Sequence, residues 1–570
     1  MTLPPPHPPR PPLRPQPFSP SAYADSFARD HLPPAHLWPT IELAAPEPLH
    51  PPHLERLNAA TELIDRPTSA FGADRPALRT PAGETWTYGE LGRRANQVAQ
   101  VLTEDFGLEP GQRVLLRSPN TPWTVASWLG VLKAGGVVVT VMAALRAREI
   151  APVAERTLPA LALVDHRCAE DVHVVRDTVL PSLKVVEFGA TGPGDLVARA
   201  SAKSGEFTAV DTAADDVALL APTSGSTGTP KITMHFHRDI LAIDDTFGRH
   251  VLRLLPDDLV ACSAPFAFTF GLGMLVVFPL RAGACALLTE AVTPPGMAEL
   301  VERQGVTVLA TAPTAYKAIL REGREQQLAG LRVGVSAGEH IPVGTWEQLR
   351  DRVGLRVIDG IGATELLHIF ISAAGDDIRP GATGRPVPGF RATILGPDGT
   401  ELGPGEPGRL GVIGPVGCRY LDDERQKDYV VNGWNVTGDV FHRDEDGYFH
   451  YHARGDNMIV SSGYNIGGPE VEAAIDTHPD VLECAVVGRS DAERGEVVCA
   501  FVVLRDGVRG DAAKAEEIQG HVKEVIAPYK YPRDVRFRRS LPRNASGKLQ
   551  RFALRAAVED EQAATAAGEH

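Results

Sequence analysis

Apolar segments with helical spacing alternate with short apolar runs over most of the chain. Residues 113–117 predict a short strand, residues 123–134 predict an amphipathic helix, and residues 137–141 predict a strand directly after it. The same helix-then-strand order returns at residues 153–164 and 183–188. Strands that alternate with helices are typical of parallel sheets joined by crossover helices. The pattern therefore predicts an α/β fold.

Other elements are predicted before and after this alternating region. The spacing of Leu57, Ala60 and Leu63 predicts a helix over residues 55–65. Residues rich in Gly, Pro and β-forming side chains predict a smaller β subdomain over 381–395 and 404–414. The last region predicts a self-contained α+β module, with helices at 469–477 and 516–525 and strands at 482–487 and 497–503.

Composition limits the class of protein. A chain of 570 residues exceeds what one hydrophobic core normally serves, so at least two domains are expected. The net charge of −15 argues against a nucleic-acid partner. No apolar run is long enough for a membrane span. The six cysteines form no C-x-x-C pair, which excludes a zinc ribbon and fits core thiols in the reducing cytoplasm.

Proline dominates the start of the chain. Ten of the first 20 residues are proline. Such a segment forms neither helix nor interior strand, so residues 1–18 are expected to be a disordered leader, with a proline-rich docking motif as the alternative.

Nine residues, Thr223 to Lys231, carry the most distinctive chemistry. They read Thr-Ser-Gly-Ser-Thr-Gly-Thr-Pro-Lys and follow an apolar run, 217–221, that predicts a strand. Glycines let a backbone approach a ligand closely, and successive free amides form an anion-binding concavity. Lys231 adds a compact positive charge. The order of the P-loop ATPases is absent. The stretch predicts a loop that binds polyphosphate, and a surface linker is the alternative.

A second motif, residues 358–365, reads Ile-Asp-Gly-Ile-Gly-Ala-Thr-Glu. A strand runs into it, which places the Thr364 hydroxyl and the Glu365 carboxylate where α/β proteins bind ligands. Mg²⁺ prefers oxygen ligands of this kind. Alone, Glu365 would be a solvated loop residue. Beside the first loop, it predicts a metal or phosphate contact.

Polar residues on predicted turns follow in the last third of the chain. Asp439 either caps its turn or holds two ribose hydroxyls, as acidic residues do in dinucleotide folds. Arg454 and Asp456 open the last region. Lys548 ends the turn-rich run Pro-Arg-Asn-Ala-Ser-Gly-Lys and is otherwise a solvated surface lysine.

Three phenylalanines stand at alternate positions, 266, 268 and 270. This spacing predicts one face of an extended segment. The face either belongs to the core, which is our interpretation of Phe266, or lines a flat apolar pocket.

Together these segments resemble the adenylate-forming superfamily, which includes acyl- and aryl-CoA ligases, peptide-synthetase adenylation domains and luciferases. The motifs occur in family order, and the resemblance covers about residues 19–558. It implies a large N-terminal domain of two α/β subdomains plus a β-barrel-like subdomain, followed by a small mobile α+β C-terminal domain. The implied boundaries are 19–455 for the N-terminal adenylation domain and 456–570 for the C-terminal domain.

The resemblance also implies roles for single residues. The implied ATP-binding positions are Thr223, Ser224, Gly225, Ser226, Thr227, Gly228, Lys231, Asp359, Asp439 and Arg454. Thr364, Glu365 and Lys548 would be catalytic, with Glu365 binding Mg²⁺. Asp456 would be the hinge, and Gly463 and Tyr464 would line the passage for coenzyme A.

The chemistry that follows is acid activation. A carboxylate attacks the α-phosphorus of ATP to give acyl-AMP and pyrophosphate, and positive groups offset the charge at that step. A thiol then attacks the acyl-AMP. A domain rotation about Asp456 would withdraw Lys548 and admit the thiol.

Local stretches of sequence narrow the class of acid that the enzyme would use. Residues 234–239, 266–273 and 359–372 look like aryl-CoA ligases of the benzoate and 2-aminobenzoate type, and residues 26–34 and 55–58 point to 2-aminobenzoate-CoA ligase. The implied pocket for a planar ring consists of Ala267, Phe268, Phe270, Gly338, Gly360, Gly362 and His368. His368 either contacts the substrate or is a core histidine.

Of two alternatives, the first stays open and the second is disfavoured by the residues present. A stand-alone adenylating enzyme would load the aryl acid onto a phosphopantetheinyl carrier protein, and it shares the first half-reaction. A ligand-binding regulator on an inactive scaffold would have lost Lys548, Glu365 or the motif glycines, and all are present.

Overall fold

Local sequence signals set the first elements of the chain. The Thr87 side chain accepts a hydrogen bond from the backbone N–H of Glu90, and the Glu90 carboxylate accepts one from the Thr87 N–H. This capping box starts a helix at Tyr88. The strands Arg113–Arg117 and Val137–Val141 lie where the apolar runs predicted them, and all their residues are buried.

The structure is a computed structural model that describes residues 19–43, 55–190, 192–223, 230–290, 292–454, 458–461, 464–491, 494–526, 530–543 and 549–567. The strands are β1 (Pro76–Arg79), β2 (Thr85–Thr87), β3 (Arg113–Arg117), β4 (Val137–Val141), β5 (Leu161–Asp165), β6 (Lys184–Phe188), β7 (Val217–Thr223), β8 (Lys231–Phe236), β9 (Leu259–Cys262), β10 (Cys285–Leu287), β11 (Val308–Thr311), β12 (Val333–Ala337), β13 (Ile358–Gly362), β14 (Ile369–Ser372), β15 (Arg385–Pro386), β16 (Arg391–Leu395), β17 (Gly408–Ile413), β18 (Val430–Val431), β19 (Trp434–Arg443), β20 (Phe449–Arg454), β21 (Met458–Ser461), β22 (Tyr464–Gly467), β23 (Val481–Asp491), β24 (Gly495–Leu504) and β25 (Asp534–Phe537).

The α-helices are α1 (Phe27–Asp30), α2 (Arg66–Phe71), α3 (Tyr88–Gln100), α4 (Pro122–Lys133), α5 (Ala147–Thr157), α6 (Glu170–Thr178), α7 (Leu196–Ser201), α8 (His237–Ile243), α9 (Thr269–Leu272), α10 (Phe278–Ala282), α11 (Pro294–Gln304), α12 (Pro313–Arg321), α13 (Val343–Val353), α14 (Gln426–Tyr429), α15 (Gly468–Asp476), α16 (Ala512–Val525) and α17 (Arg551–Ala567). Wider π-helical turns occupy Thr61–Asp65, Val101–Asp105, Asp244–Leu252 and Gly273–Val277. Tighter 3-10 turns occupy Ala35–Leu37, His166–Cys168, Glu325–Leu328, Thr364–Leu366 and Gly375–Asp377.

The chain divides into two compact units. The larger contains Met1–Ala392 and Gly411–Val436, and the smaller contains Thr393–Leu410 and Thr437–His570. The chain passes from one unit to the other within β16, β17 and β19. The sequence-based boundary between residues 455 and 456 stays a prediction.

Two sheets organise the larger unit. One has six strands in the order β6-β5-β3-β4-β7-β8, parallel except for the antiparallel pair β7–β8. The other has nine strands in the order β15-β14-β13-β12-β11-β9-β10-β1-β2, and its middle strands, from β13 to β1, are all parallel. Parallel strands with intervening helices confirm the predicted α/β architecture.

The smaller unit contains the predicted α+β module. Its sheet has the order β22-β21-β24-β23, and β25 pairs with β24. Helices α15 and α16 contribute Val471, Ile475, Ile518 and Val522 to one apolar core on this sheet. The predicted helices and strands of the last region are confirmed, with bounds that differ by a few residues.

Three local predictions were wrong. The helix predicted over 55–65 starts later and continues to Phe71, because the backbone of Leu57 bonds to Thr212 and holds the preceding residues extended. Helix α4 is not amphipathic, since every residue but Trp123 is buried. The aromatic run 266–270 is not extended, because Phe268 N–H bonds to the Pro265 carbonyl and closes a turn before α9.

The cysteines behave as predicted for small core residues. All six are thiols outside disulfides, and Cys262, Cys285, Cys418 and Cys499 are buried. Among the described helices, we find none with the length and apolar character needed to cross a lipid bilayer.

Candidate active site

The predicted polyphosphate loop closes a hairpin. Thr223 at the end of β7 pairs with Lys231 at the start of β8, and Pro222 pairs with Ile232. The predicted positions Ser224, Gly225, Ser226, Thr227 and Gly228 lie outside the described residues. Because β7 is parallel to β4, the loop follows the carboxyl end of the strand, the edge where α/β proteins bind ligands.

The second sheet presents its own predicted residues at its carboxyl edge. Strands β9, β12 and β13 all run parallel within the sheet, so the residues that follow them share one edge. Two hydrogen bonds join this edge to the first sheet. Thr140 Oγ1 donates to the Ala267 carbonyl at 3.3 Å, and His235 Nε2 donates to the Thr364 carbonyl at 2.8 Å. The carboxyl edge of the second sheet therefore contacts the first sheet at β4 and β8.

Tyr420 links the loop base to the predicted metal ligand. Residues 419–421 pair along β8, with an isolated bridge between Thr233 and Tyr420. Lys231 Nζ lies 3.4 Å from Tyr420 Oη, and that hydroxyl donates to Glu365 Oε1 at 2.5 Å. Burial and the neighbouring Glu365 carboxylate raise the pKa of Tyr420, so it stays a proton donor. Lysine, phenol and carboxylate form one continuous chain.

Thr364 and Glu365 start a 3-10 turn directly after β13. Burial lowers the pKa of His235 to about 4, so the ring that holds the Thr364 carbonyl is neutral at pH 7. Leu367, at the end of the turn, has a φ of 66°, a left-handed conformation that is uncommon for leucine. The turn thus sets the position of Glu365 within it and of His368 directly after it.

Asp359 lies on β13, where it is buried. Its Oδ2 is 3.7 Å from His340 Nδ1, and its Oδ1 has no hydrogen-bond partner among the described atoms. Burial raises the pKa of Asp359, and the nearby imidazole opposes this. A buried carboxylate oxygen without a donor is suited to a ligand that brings one.

His368 lies in an aromatic cage. Its ring centroid is 5.2 Å from that of Phe247, 5.6 Å from Phe270 and 4.7 Å from Phe278. His368 is 2% exposed, and neither ring nitrogen has a well-formed hydrogen bond. Burial lowers the pKa of His368 to about 3, so the ring is neutral. Ala267, Phe268 and Phe270 are partly exposed, whereas Phe266 is buried in the core, as predicted.

The three predicted pocket glycines serve different purposes. A Cβ at Gly360 would lie 2.8 Å from the Ile369 side chain, and one at Gly362 would lie 2.8 Å from the His368 carbonyl. Both glycines therefore make room for β14. At Gly338 a Cβ would meet nothing within 4 Å, but the backbone has a φ of 89° that favours glycine.

The remaining predicted positions belong to the smaller unit. Asp439 on β19 pairs in register with Arg454 on β20. Tyr464 pairs with Ser461 in the β21–β22 hairpin. Asp456, Gly463 and Lys548 lie outside the described residues.

Sequence reasoning missed two residues at this site. Tyr420 is 55 positions from Glu365 and 189 from Lys231, so no local pattern marks it. Arg156 near the end of α5 donates to the Pro230 carbonyl at 2.5 Å and to the Leu421 carbonyl. Arginine near a helix C-terminus is ordinary, so Arg156 gave no signal. It joins the end of the polyphosphate loop to the residue after Tyr420.

Arg156→Gln is expected to raise the KM for ATP about tenfold and to change the KM for the acid little. The reason is that the carbonyls of Pro230, at the loop end, and of Leu421, next to Tyr420, lose a shared charged donor worth ~1.5 kcal/mol. Initial rates at varied ATP measure this. Arg176→Gln is the matched control, since Arg176 on α6 bonds to its neighbour Asp177. A lower Tm with an unchanged KM for ATP would show that Arg156 stabilises the fold and does not contribute to ATP binding.

Fold and polar edge together define an enzyme that binds a nucleotide. The family model described as AMP-binding enzyme matches residues 65–419, and the model described as AMP-binding enzyme C-terminal domain matches residues 470–548. The chain belongs to the AMP-binding enzyme family. The resemblance seen in the sequence and the predicted fold class are thereby confirmed.

Named relatives within the family include enzymes for aromatic acids. Benzoate–CoA ligase of Thauera aromatica is 34% identical over 522 residues, which are 88% of this chain and 96% of that protein. The crystal structure of the anthranilate CoA ligase AuaEII in complex with anthranoyl-AMP has a TM-score of 0.83 at 31% identity, and the match covers 88% of this chain and 97% of that chain. The structure of a benzoate CoA ligase from Burkholderia xenovorans LB400 has a TM-score of 0.80 at 29% identity, and the match covers 88% of this chain and 100% of that chain.

The comparisons also bear on the cofactors. AMP-binding CoA ligases use ATP, CoA and Mg²⁺, the three predicted from the sequence. The buried Glu365 carboxylate fits Mg²⁺, because Tyr420 engages one of its oxygens and leaves Oε2 for a hard cation. The chain is thus an acid–thiol ligase of this family.

Proposed function

We propose that this protein is an ATP-dependent aryl-CoA ligase. It activates an aromatic carboxylate of the 2-aminobenzoate or benzoate type as aryl-AMP and transfers the aryl group to CoA, releasing AMP and pyrophosphate. The observation that carries the proposal is the neutral, buried His368 in its cage of phenylalanine rings, three residues beyond Glu365. The names of the aromatic-acid relatives support it.

The pocket would recognise the acid by shape and by one polar contact. Phe268 and Phe270 offer flat apolar surface at the carboxyl edge, which suits a planar ring. A buried imidazole without good hydrogen bonds gains most from a ligand that supplies them. An amino group ortho to the carboxylate is such a partner, since a neutral ring nitrogen can accept its hydrogen.

The larger unit would hold the reacting phosphates. Thr223, Lys231 and the loop between them would bind the triphosphate, and Thr364 would contact it from the carboxyl edge of the second sheet. Glu365 would hold Mg²⁺, which offsets phosphate charge when bound. The Tyr420 hydroxyl orients the Glu365 carboxylate, and Arg156 fixes the end of the loop.

The smaller unit would supply the ribose contacts and the second step. Asp439 and Arg454 would hold the ribose hydroxyls, and Asp359 of the larger unit would contact the nucleotide. Lys548 would bridge carboxylate and phosphate during adenylation. Rotation at Asp456 would then replace it with the Gly463–Tyr464 passage, through which the CoA thiol attacks the acyl carbon and AMP leaves.

Thioester formation with ATP, Mg²⁺ and CoA tests the proposal. The acids compared are 2-aminobenzoate, benzoate and hydroxybenzoates, with an aliphatic acid as control. CoA consumption with one of these aryl acids would identify that acid as the substrate. Pyrophosphate release without CoA consumption would favour loading of a carrier protein, to be tested with a phosphopantetheinylated carrier. No pyrophosphate with any aryl acid would refute the pocket assignment.

His368→Phe is expected to raise the KM for 2-aminobenzoate about tenfold to a hundredfold and that for benzoate less. Phenylalanine keeps the aromatic cage but removes the polar contact, worth ~1–3 kcal/mol when buried. Steady-state rates with both acids measure the difference. The KM for ATP serves as the internal control. Equal losses for the two acids would make His368 a core residue.

A further inference from the structure

Three histidines share one face of the β19–β20 ribbon in the smaller unit. His442 on β19 pairs in register with His450 on β20. His452 lies two residues beyond His450, and residues two apart on a strand point to the same side. None of the three has a role in the proposed reaction.

The rings are close enough to act together. His442 Nδ1 lies 2.8 Å from His452 Nε2. The rings of His442 and His450 stack with centroids 4.7 Å apart and planes 7° from parallel. His450 Nε2 is in turn 3.1 Å from Asp444 Oδ2. A carboxylate thus holds the ring against which His442 packs.

The surroundings of the close pair lower the pKa values of both rings and so favour their neutral form. Burial, and then the neighbouring His450, lower the pKa of His442, while burial and then His442 lower that of His452. Glu470 opposes the shift at His452, but it is itself engaged by Lys530 Nζ at 2.5 Å. Neutral imidazole is the form that ligates metals.

We propose that His442 Nδ1 and His452 Nε2 form a two-histidine site for a divalent transition-metal cation of the Zn²⁺, Co²⁺ or Ni²⁺ class. In the apo protein one ring donates its N–H to the other. On binding, that proton moves to the same ring's other nitrogen, so both lone pairs face the ion and no proton is released. Water completes the coordination. Imidazole suits these ions, whereas Mg²⁺ prefers oxygen, so the site would coexist with Mg²⁺ at Glu365.

A second cluster in the same unit is a useful contrast. His478, Asp480 and Glu517 bring three possible ligand atoms within 4.8 Å of one another. The Lys514 ammonium, however, lies 2.6 Å from Asp480 Oδ2 and 2.6 Å from Glu517 Oε2. An ammonium already occupies the position of a cation there, so His478 provides the matched control.

The test is Ni²⁺ binding to tag-free, chelator-treated full-length protein in the presence of Mg²⁺. Calorimetry is expected to show one saturable site, and Ni²⁺ should raise Tm by linkage. His442→Gln and His452→Gln should each weaken binding at least tenfold and remove the Tm shift, while His478→Gln should leave both unchanged. Circular dichroism verifies that each variant is folded.

Two outcomes would overturn the site. One is the absence of saturable Ni²⁺ binding in the wild type. The other is equal binding by the wild type and the His442→Gln, His452→Gln double variant. If both single variants unfold, Co²⁺ provides a second measurement on the wild type, because imidazole ligation changes its visible spectrum and aqueous Co²⁺ under the same conditions is the reference. An unchanged spectrum contradicts the proposal. None of these results depends on the aryl-CoA ligase activity.

Discussion

Lys548→Ala is expected to slow aryl-AMP formation by about 10²–10³-fold, the usual effect of removing one preorganised charge-stabilising donor. Negative charge gathers where the carboxylate meets the α-phosphate, and the proposed role of Lys548 is to offset it at that step alone. Thioester formation from supplied aryl-AMP and CoA should therefore continue. Pyrophosphate release measures the first half-reaction, and CoA consumption measures the second.

Lys514→Ala is the matched control for this experiment. Lys514 lies in the same unit and pairs with Asp480 and Glu517 at the surface, an arrangement that contributes little to stability. Both half-reactions should be unchanged in this variant. Equal loss of both half-reactions in Lys548→Ala would show that the lysine has no step-specific role.

Glu365→Gln is expected to lower adenylation by about 10²–10³-fold and to weaken its dependence on Mg²⁺. Glutamine keeps the size of the side chain and still accepts the Tyr420 hydrogen bond, so the change isolates the negative charge. Pyrophosphate release over a range of Mg²⁺ concentrations is the measurement.

Tyr420→Phe separates the charge of Glu365 from its orientation. This variant keeps the carboxylate and removes its hydrogen bond, a loss of ~1.5 kcal/mol or about tenfold in rate. The Mg²⁺ dependence should remain that of the wild type. If Glu365→Gln also kept that dependence, Glu365 would not be the metal ligand.

Sequence patterns predicted the parts of this structure that depend on near neighbours. Residues 113–117 and 137–141 are strands with the predicted bounds, because buried parallel strands are near-continuous runs of apolar residues. The strand before the polyphosphate loop is also as predicted. The resemblance to a family was needed to choose the ribose role for Asp439 over a turn cap and to give Lys548 its proposed role.

Contacts between distant segments account for what the sequence could not predict. A backbone bond from Leu57 to Thr212 delays the first long helix, and periodicity within residues 55–65 contains no trace of it. Tyr420 reaches the site because residues 419–421 pair along β8, and Arg156 on α5 contacts the same segment through the Leu421 carbonyl. The same pairing carries Arg419 into a buried ion pair with Asp239 at 3.0 Å.

The glycines at the carboxyl edge bear on how the acid preference of the proposed pocket can change over time. Side chains at Gly360 and Gly362 collide with β14, and any residue at Gly338 must adopt a backbone conformation that only glycine enters freely. None of the three is an easy route to a smaller or differently shaped pocket. New specificities, in nature or in directed evolution, would arise instead through Ala267, Phe270 and His368, which makes these positions the place to randomise in a library.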